Sequence, residues 1–228
     1  MSTVAILPVK PFARAKQRLA VELSAGDRQA LVVAMFSDVL VALSRCPAID
    51  RVLVVSDDRL AQQLAAGYGA EVSEDGQPSH SDATRRGLDQ VAAEGADHAL
   101  LVPGDCPLLD PDELRGLVGR LMELEAGAGE RGVALIVPDR HGTGTNALAF
   151  GLPAPIAPAF GPGSRERHAA AAAAAGAVYE LTEIPTLALD VDTPEDLRAL
   201  ELALATRHGG AAHTRGMLAQ LARSAHRR

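Results

Sequence analysis

The stretch His98-Ala99-Leu100-Leu101-Val102-Pro103-Gly104-Asp105-Cys106-Pro107 decides the fold. A short apolar run that breaks off in Pro-Gly-Asp reads as a strand buried on both faces, delivering a carboxylate where the chain leaves the sheet. The same grammar repeats on either side of it. Val4 to Leu7 is an apolar strand that runs into the Lys/Arg-rich loop Pro8 to Arg18, and Arg51 to Val55 is a strand that stops at Ser56-Asp57-Asp58. Between them, residues 27–45 space their apolar positions as a helix does. Further on come a helix over 58–67, a short strand Ala70–Val72, a polar loop Glu74–His80, and a helix from Ser81 to Glu94. Beyond Asp105, with Asp110 or Asp112 capping the next helix, strands are expected at Gly132–Val137 and Asn146–Phe150, a helix at 165–175, and strands near Val178 and Leu187. A helix then runs to about Thr206.

Strand followed by helix, over and over, builds a mostly parallel sheet with helices on both faces, an α/β fold of Rossmann-like type. Such sheets bind ligands at the carboxyl ends of their strands. The polar clusters at Lys10, Ser56, Asp105, Asp139–Thr145 and Asp192 all follow strands, so they should meet in one crevice. The 228 residues suit one domain over 1–206, with 207–228 as a basic C-terminal helix or tail.

The net charge of -7 argues against a nucleic-acid surface, yet a few well-placed cations can still serve a phosphorylated ligand. Cys46 and Cys106 supply neither a disulfide framework nor a metal-binding pair. The start of the chain shows no basic leader, and no run approaches the roughly 18 apolar residues of a membrane span. A cytoplasmic address is expected, and a homodimer is compatible with the sequence.

Several clusters carry candidate chemistry. Asp105, held at a strand exit, can bind a divalent cation and with it a triphosphate; Mg²⁺ fits, because it fills most of its shell from water and phosphate. Alone, Gly-Asp-x-Pro would be an ordinary turn. Its partner is Asp190-Val191-Asp192-Thr193-Pro194, where strand alternation sets Asp190 and Asp192 on one face, while Thr193 and Pro194 open a helix. Lys10, Arg14, Lys16 and Arg18 form a flexible cationic loop able to neutralise triphosphate and leaving pyrophosphate, or else a solvated face. His141-Gly-Thr-Gly-Thr145-Asn146 and Phe160-Gly161-Pro-Gly163-Ser164 offer hydroxyls and exposed N–H groups to an anion, with Ser164 at a helix start; either could equally be a turn.

In this order, Val9-Lys10, Ala15-Lys16-Gln-Arg18-Leu19, Gly104-Asp105-x-Pro107, Asp139-Arg-x-Gly-Thr-Gly-Thr145, Phe160-Gly-Pro-x-Ser164 and Asp190-Val-Asp192-Thr-Pro resemble the 2-phospho-L-lactate (or phosphoenolpyruvate) guanylyltransferases of coenzyme F-420 biosynthesis. These are relatives of the molybdenum-cofactor guanylyltransferases. The resemblance spans about residues 4–200. It implies a nucleotidyltransferase that binds GTP through Lys10 and Arg18 and uses Lys16, Asp105 and Asp192 catalytically, with Mg²⁺ on Asp105, Asp190 and Asp192. It also implies that a three-carbon phospho-acid sits at Thr145, Gly161 and Ser164. One of its phosphate oxygens attacks the α-phosphorus in line, the bond to the β-phosphate breaks, pyrophosphate leaves and a phosphoanhydride forms.

Departures from the family pattern leave readings open. Asp82 stands where the family has an amide. It either accepts from guanine N1–H and the 2-amino group, or simply caps a helix. Cys106 and His141 stand where the family is aliphatic. They either furnish a polar pocket admitting a hydroxylated acid such as 3-phosphoglycerate, or Cys106 packs and His141 faces water. Two rival readings remain. A sugar- or molybdopterin-type nucleotidyltransferase would use the same aspartates but lacks its G-x-G-x-R loop here, and retention of Asp105, Asp192 and Lys16 speaks against a degenerate nucleotide-binding regulatory domain.

Overall fold

The computed structural model describes residues 1–74 and 80–225. The loop expected over Glu74–His80 lies, but for its ends, outside the described residues, as do the last three residues of the tail.

Among the described residues seven strands form one sheet: β1 (Thr3–Pro8), β2 (Arg51–Val55), β3 (Glu71–Ser73), β4 (His98–Leu101), β5 (Val133–Pro138), β6 (Thr145–Gly151) and β7 (Val178–Leu181), in the spatial order β3-β2-β1-β4-β6-β5-β7. Only β6 runs antiparallel to its neighbours β4 and β5. That reversal brings the amino end of β6, at Thr145, to the edge where β1 and β4 end.

The helices are α1 (Ala25–Arg45), α2 (Arg59–Gly67), α3 (His80–Ala93), α4 (Pro111–Ala128), α5 (Ser164–Ala174), α6 (Pro194–Thr206) and α7 (Ala212–Ala225). Side chains alternate across the sheet as the pleat requires. Ala5, Leu7, Val54, Leu100, Leu135 and Ala149 face one core, shared with α1, α4 and α6. Val4, Ile6, Leu53, Leu101, Ile136 and Leu148 face the other, shared with α3 and α5. Both faces are therefore covered, as a mostly parallel sheet demands. Gly87 of α3 lies against β1 so closely that a Cβ there would come within 2.7 Å of Ile6 Cγ2.

Helix starts follow local hydrogen bonding. Ser24 caps α1 by accepting from the Asp27 N–H at 3.2 Å, so the helix starts at Ala25, two positions upstream of the expected start. Asp110, rather than Asp112, caps α4, its carboxylate accepting from Asp112 N–H at 2.8 Å. The basic C-terminal segment is docked over its described part: α7 packs on α1, and the buried Asp38 accepts from the N–H groups of His213 (3.1 Å) and Thr214 (2.8 Å).

Two expectations need correction. The strand near Leu187 does not form: Leu187 and Ala188 both donate to Ile184 O in a tight turn, and no ladder partner stands beside them among the described residues. The Pro8–Arg18 loop is not a free cationic loop. Short 3-10 turns at Phe12–Arg14 and Gln17–Val21 bury Phe12 and Leu19, and Phe12 N–H donates to Asp58 Oδ2 at 2.7 Å.

Candidate active site

A cleft of about 1020 Å³ opens over the ends of β1 and β4 and the start of β6. At its base is Lys16. The 3-10 turns anchored by Phe12 and Leu19 hold this residue in the left-handed region, φ 54° and ψ 39°, a conformation that costs a non-glycine residue on the order of 1 kcal/mol or more. That geometry turns the chain inward. The Lys16 ammonium donates to Asp105 Oδ2 and, at 2.7 Å, to Asp192 Oδ1, with only 5% of its side chain exposed. Burial works against the charge, but the two carboxylates outweigh it and raise the pKa above the usual lysine value. Asp105 Oδ1, by contrast, is buried without a partner.

Asp192 is presented by the start of α6. Thr193 caps that helix in a reciprocal capping box with Asp196, whose Oδ2 also accepts from Asp192 N–H at 3.1 Å. Arg140 clamps the other oxygen of Asp196 at 2.6 Å. Burial would raise the Asp196 pKa, but the bonds from Thr193 and Asp192 and the Arg140 charge lower it. Asp190 and Asp192 lie on no pleated strand. They still share the cleft, because Val191 between them is fully buried and its N–H reaches Asp105 O at 3.3 Å. Asn146 donates to Asp190 Oδ1 at 3.1 Å and to Leu187 O at 2.7 Å, tying β6 to this loop. The pKa of Asp190 is raised by its burial and by the charge of Asp105.

No three carboxylates are gathered into a metal cage among the described residues. Asp105 and Asp192 close around an ammonium, and the unpartnered Asp105 Oδ1 is a spare anionic ligand beside them. That donor set fits Mg²⁺, which needs few protein carboxylates when phosphate and water complete its shell.

Another part of the lining carries no charge. Thr145 and Gly161 form it, with Phe160 beside them. Gly161 has φ 108°, which a side chain would strain, and its carbonyl accepts from Ser164 N–H at 3.0 Å. Ser164 opens α5 behind this loop; its hydroxyl is buried and unpartnered. One turn further along α5, the fully buried His168 contacts Thr145 Oγ1 through Nδ1 at 3.0 Å and accepts from Ala159 N–H through Nε2 at 2.8 Å.

Of the remaining sequence candidates, Lys10, Arg14 and Arg18 line the cleft mouth as exposed cations. Three others are not brought in. Asp82 is the third residue of α3 rather than its cap, pairs with Arg85 at 3.0 Å, and does not line the cleft, although Ser81 does. Cys106 is wholly buried in the core, its thiol donating to Leu187 O at 3.5 Å, and burial pushes its pKa well up. His141 lies exposed on the turn after Asp139. The polar pocket imagined from Cys106 and His141 is therefore not formed, because the thiol faces the core and the imidazole faces water. His168 was absent from the sequence candidates, and Asn146 stood among them only as the end of the His141–Asn146 cluster, with no role. The only trace of His168 was its place four residues after Ser164, on the same face of α5.

The family described as Guanylyl transferase CofC like matches residues 3–226. A phosphoenolpyruvate guanylyltransferase of Conexibacter woesei is 49% identical over 225 residues, covering 98% of each chain. One from Sphaerobacter thermophilus is 39% identical over 200 residues, 88% of this chain and 93% of the relative. Among solved structures, a Desulfovibrio desulfuricans G20 protein provisionally named a nucleotide-diphospho-sugar transferase superposes with a TM-score of 0.75 at 16% identity, covering 98% of both chains. That likeness speaks for the fold.

Proposed function

This chain belongs to the CofC-like guanylyl transferase family, and on that premise we propose that it transfers GMP from GTP to phosphoenolpyruvate, releasing pyrophosphate, as a step of coenzyme F-420 biosynthesis. As a nucleotidyltransferase of this family it is an enzyme. No helix among its described residues is long and apolar enough to cross a membrane, and its substrates, GTP and a small phospho-acid, suit a cytoplasmic reaction. The observation that carries the reading is the meeting, in one cleft, of the Lys16–Asp105–Asp192 cluster with the neutral wall of Thr145 and Gly161.

Lys16 meets the negative charge of the triphosphate, with Lys10, Arg14 and Arg18 neutralising the pyrophosphate end. Asp105 and Asp192, with Asp190 beside them, are the residues that would hold Mg²⁺, which supplies charge neutralisation and orientation of the phosphates when bound. Thr145, Gly161 and Ser164 hold the acceptor so that a phosphate oxygen faces the α-phosphorus opposite the bond to the β-phosphate. That oxygen is already anionic, so no side chain needs to remove a proton from it. Rate comes from alignment and charge, as expected where two anions must be brought together.

A pyrophosphate-release assay tests this with GTP, ATP, CTP or UTP against phosphoenolpyruvate, 2-phospho-L-lactate and 3-phosphoglycerate. The reading requires GTP with phosphoenolpyruvate to give the highest kcat/KM. Turnover with a sugar phosphate or a pterin acceptor, and none with the three acids, would overturn it.

A further inference from the structure

The hydroxyl of Thr145 is aimed by a residue that does not line the cleft. His168 sits inside α5, fully buried, with Phe160 edge-on to its ring at a centroid distance of 5.5 Å. Its two nitrogens have different neighbours. The Ala159 backbone N–H can only donate, and it lies 2.8 Å from Nε2, so Nε2 carries the lone pair. A neutral imidazole has one N–H, which therefore resides on Nδ1, 3.0 Å from Thr145 Oγ1. Burial, aided by the charge of Arg167, pushes the His168 pKa down to about 4, so the ring is neutral at ordinary pH.

We propose that His168 is a positioning residue: its Nδ1–H occupies a lone pair of Thr145 Oγ1 and leaves the threonine proton to be donated into the cleft, toward the anionic acceptor. With the other tautomer the threonine would spend its proton on Nδ1 and present only lone pairs to an incoming anion, which repels it. The same ring also holds the second acceptor loop. Its bond from Ala159, and those from Arg167 to the carbonyls of Pro162 and, at 2.9 Å, Ala159, fasten the Phe160–Gly161 segment to α5. One buried imidazole thus sets the polarity of Thr145 and the position of Gly161 together. The inference rests on the reading of Thr145 as an acceptor contact and adds what makes that contact selective for an anion.

The experiment uses the full chain with GTP and phosphoenolpyruvate, each KM measured separately, and the ¹⁵N shifts of the His168 ring in the unliganded protein. Thr145→Val decides the underlying reading first: it should raise the phosphoenolpyruvate KM roughly tenfold and leave that for GTP within about twofold. If it does not, the acceptor wall itself is misassigned and the proposed function loses its acceptor site. Given that result, the ¹⁵N spectrum should show the Nδ1–H tautomer at pH 7. His168→Gln keeps an acceptor for Ala159 N–H and loses the Nδ1 donor, so it should raise the phosphoenolpyruvate KM selectively. In the Thr145→Val background it should add little more. His168→Asn, which restores an N–H near Nδ1, should recover part of the loss. An Nε2–H tautomer overturns the inference. So does an equal rise of both KM values in His168→Gln, or a phosphoenolpyruvate KM that stays at the wild-type value while Thr145→Val raises it.

Discussion

The two walls of the cleft are built by opposite means. On the side of Lys16, Asp105 and Asp192, full charges meet: an ammonium between two carboxylates, one of which keeps an unpartnered oxygen, and a capping carboxylate clamped by Arg140. On the side of Thr145 and Gly161, with Ser164 and His168 behind them, the Thr145 and His168 side chains meet neutral partners, and the Ser164 hydroxyl is left open. The charged wall suits a ligand with several negative charges to offset. The neutral wall suits one that must be recognised by the direction of donors. A reaction that joins a triphosphate to a monophosphate needs both.

The charged wall should be the less dispensable of the two. Asp105→Asn removes a negative charge beside a buried ammonium and turns one of the two carboxylate oxygens into an N–H donor. Loss of kcat should be at least about 10²–10³-fold, the range seen when a single electrostatic contact to a transition state is deleted. Asp192→Asn should follow with a smaller loss, its side chain being 49% exposed. The check is turnover at saturating GTP, phosphoenolpyruvate and Mg²⁺. Near-native rates in Asp105→Asn would strip this wall of its role.

Acid separates the walls by another route. His168 has a folded pKa of about 4, against about 6.5 for an unfolded histidine. The unfolded chain therefore takes up a proton that the folded chain refuses. The stability contribution is complete above pH 6.5 and falls away as pH drops from 6.5 toward 4, by about 2 kcal/mol between pH 7 and pH 5. Asp196 on the charged wall behaves differently: its folded pKa is lowered, so its contribution persists until pH falls below the ordinary carboxylate range. Urea unfolding at pH 7 and pH 5 should show a loss in the wild type that is markedly smaller in His168→Gln. Equal losses would mean that the ring is not held neutral.

Ser164→Ala sharpens the comparison on the neutral side. On the proposed reading this buried, unpartnered hydroxyl donates to the bound acid, so its deletion should cost about 1–1.5 kcal/mol in the complex, roughly tenfold in KM for the acid. The GTP KM should stay put. A rise in the GTP value instead would assign this wall to the nucleotide.

How legible each wall was in the sequence follows from its chemistry. The charged wall announced itself because carboxylates at strand exits and helix caps are local features: Asp105 after β4, and Thr193-Pro194 opening α6, need only their neighbours to be read. The parallel sheet was legible for the same reason, through apolar runs ended by turns. His168 was not, because it sits in an alanine-rich helix and its role exists only through Ala159 and Thr145, the latter 23 positions away. The expected strand at Leu187 failed on tertiary grounds: its apolar side chain is buried, but the backbone closes a turn on Ile184 rather than finding a ladder partner. The Lys16 loop failed in the other direction. Its charges suggested freedom, while Phe12 and Leu19 fasten it to the core.

The smallest expected effect concerns Asp82, and it tests whether the comparison extends to the base. From sequence, a carboxylate near the amino end of α3 could read the two adjacent donors of guanine, and a group built for that pairing discriminates strongly when left unpaired. The structure gives it a different occupation. Asp82 lies within the first turn of α3, where a negative charge favours the helix start, and its Oδ1 pairs with Arg85 one turn on. An i,i+3 pair of this kind, with Arg85 61% exposed, is worth a few tenths of a kcal/mol, and the side chain does not line the cleft. Asp82→Ala should therefore leave the ratio of GTP to ATP kcat/KM within about twofold, since a group that does not touch the base cannot discriminate between bases. Ser81 and Lys10, which do line the cleft, are then the next positions to vary in the same assay. A tenfold or larger narrowing of the ratio would show that Asp82 leaves Arg85 for guanine when GTP binds, and would add a third, base-reading region to the two walls.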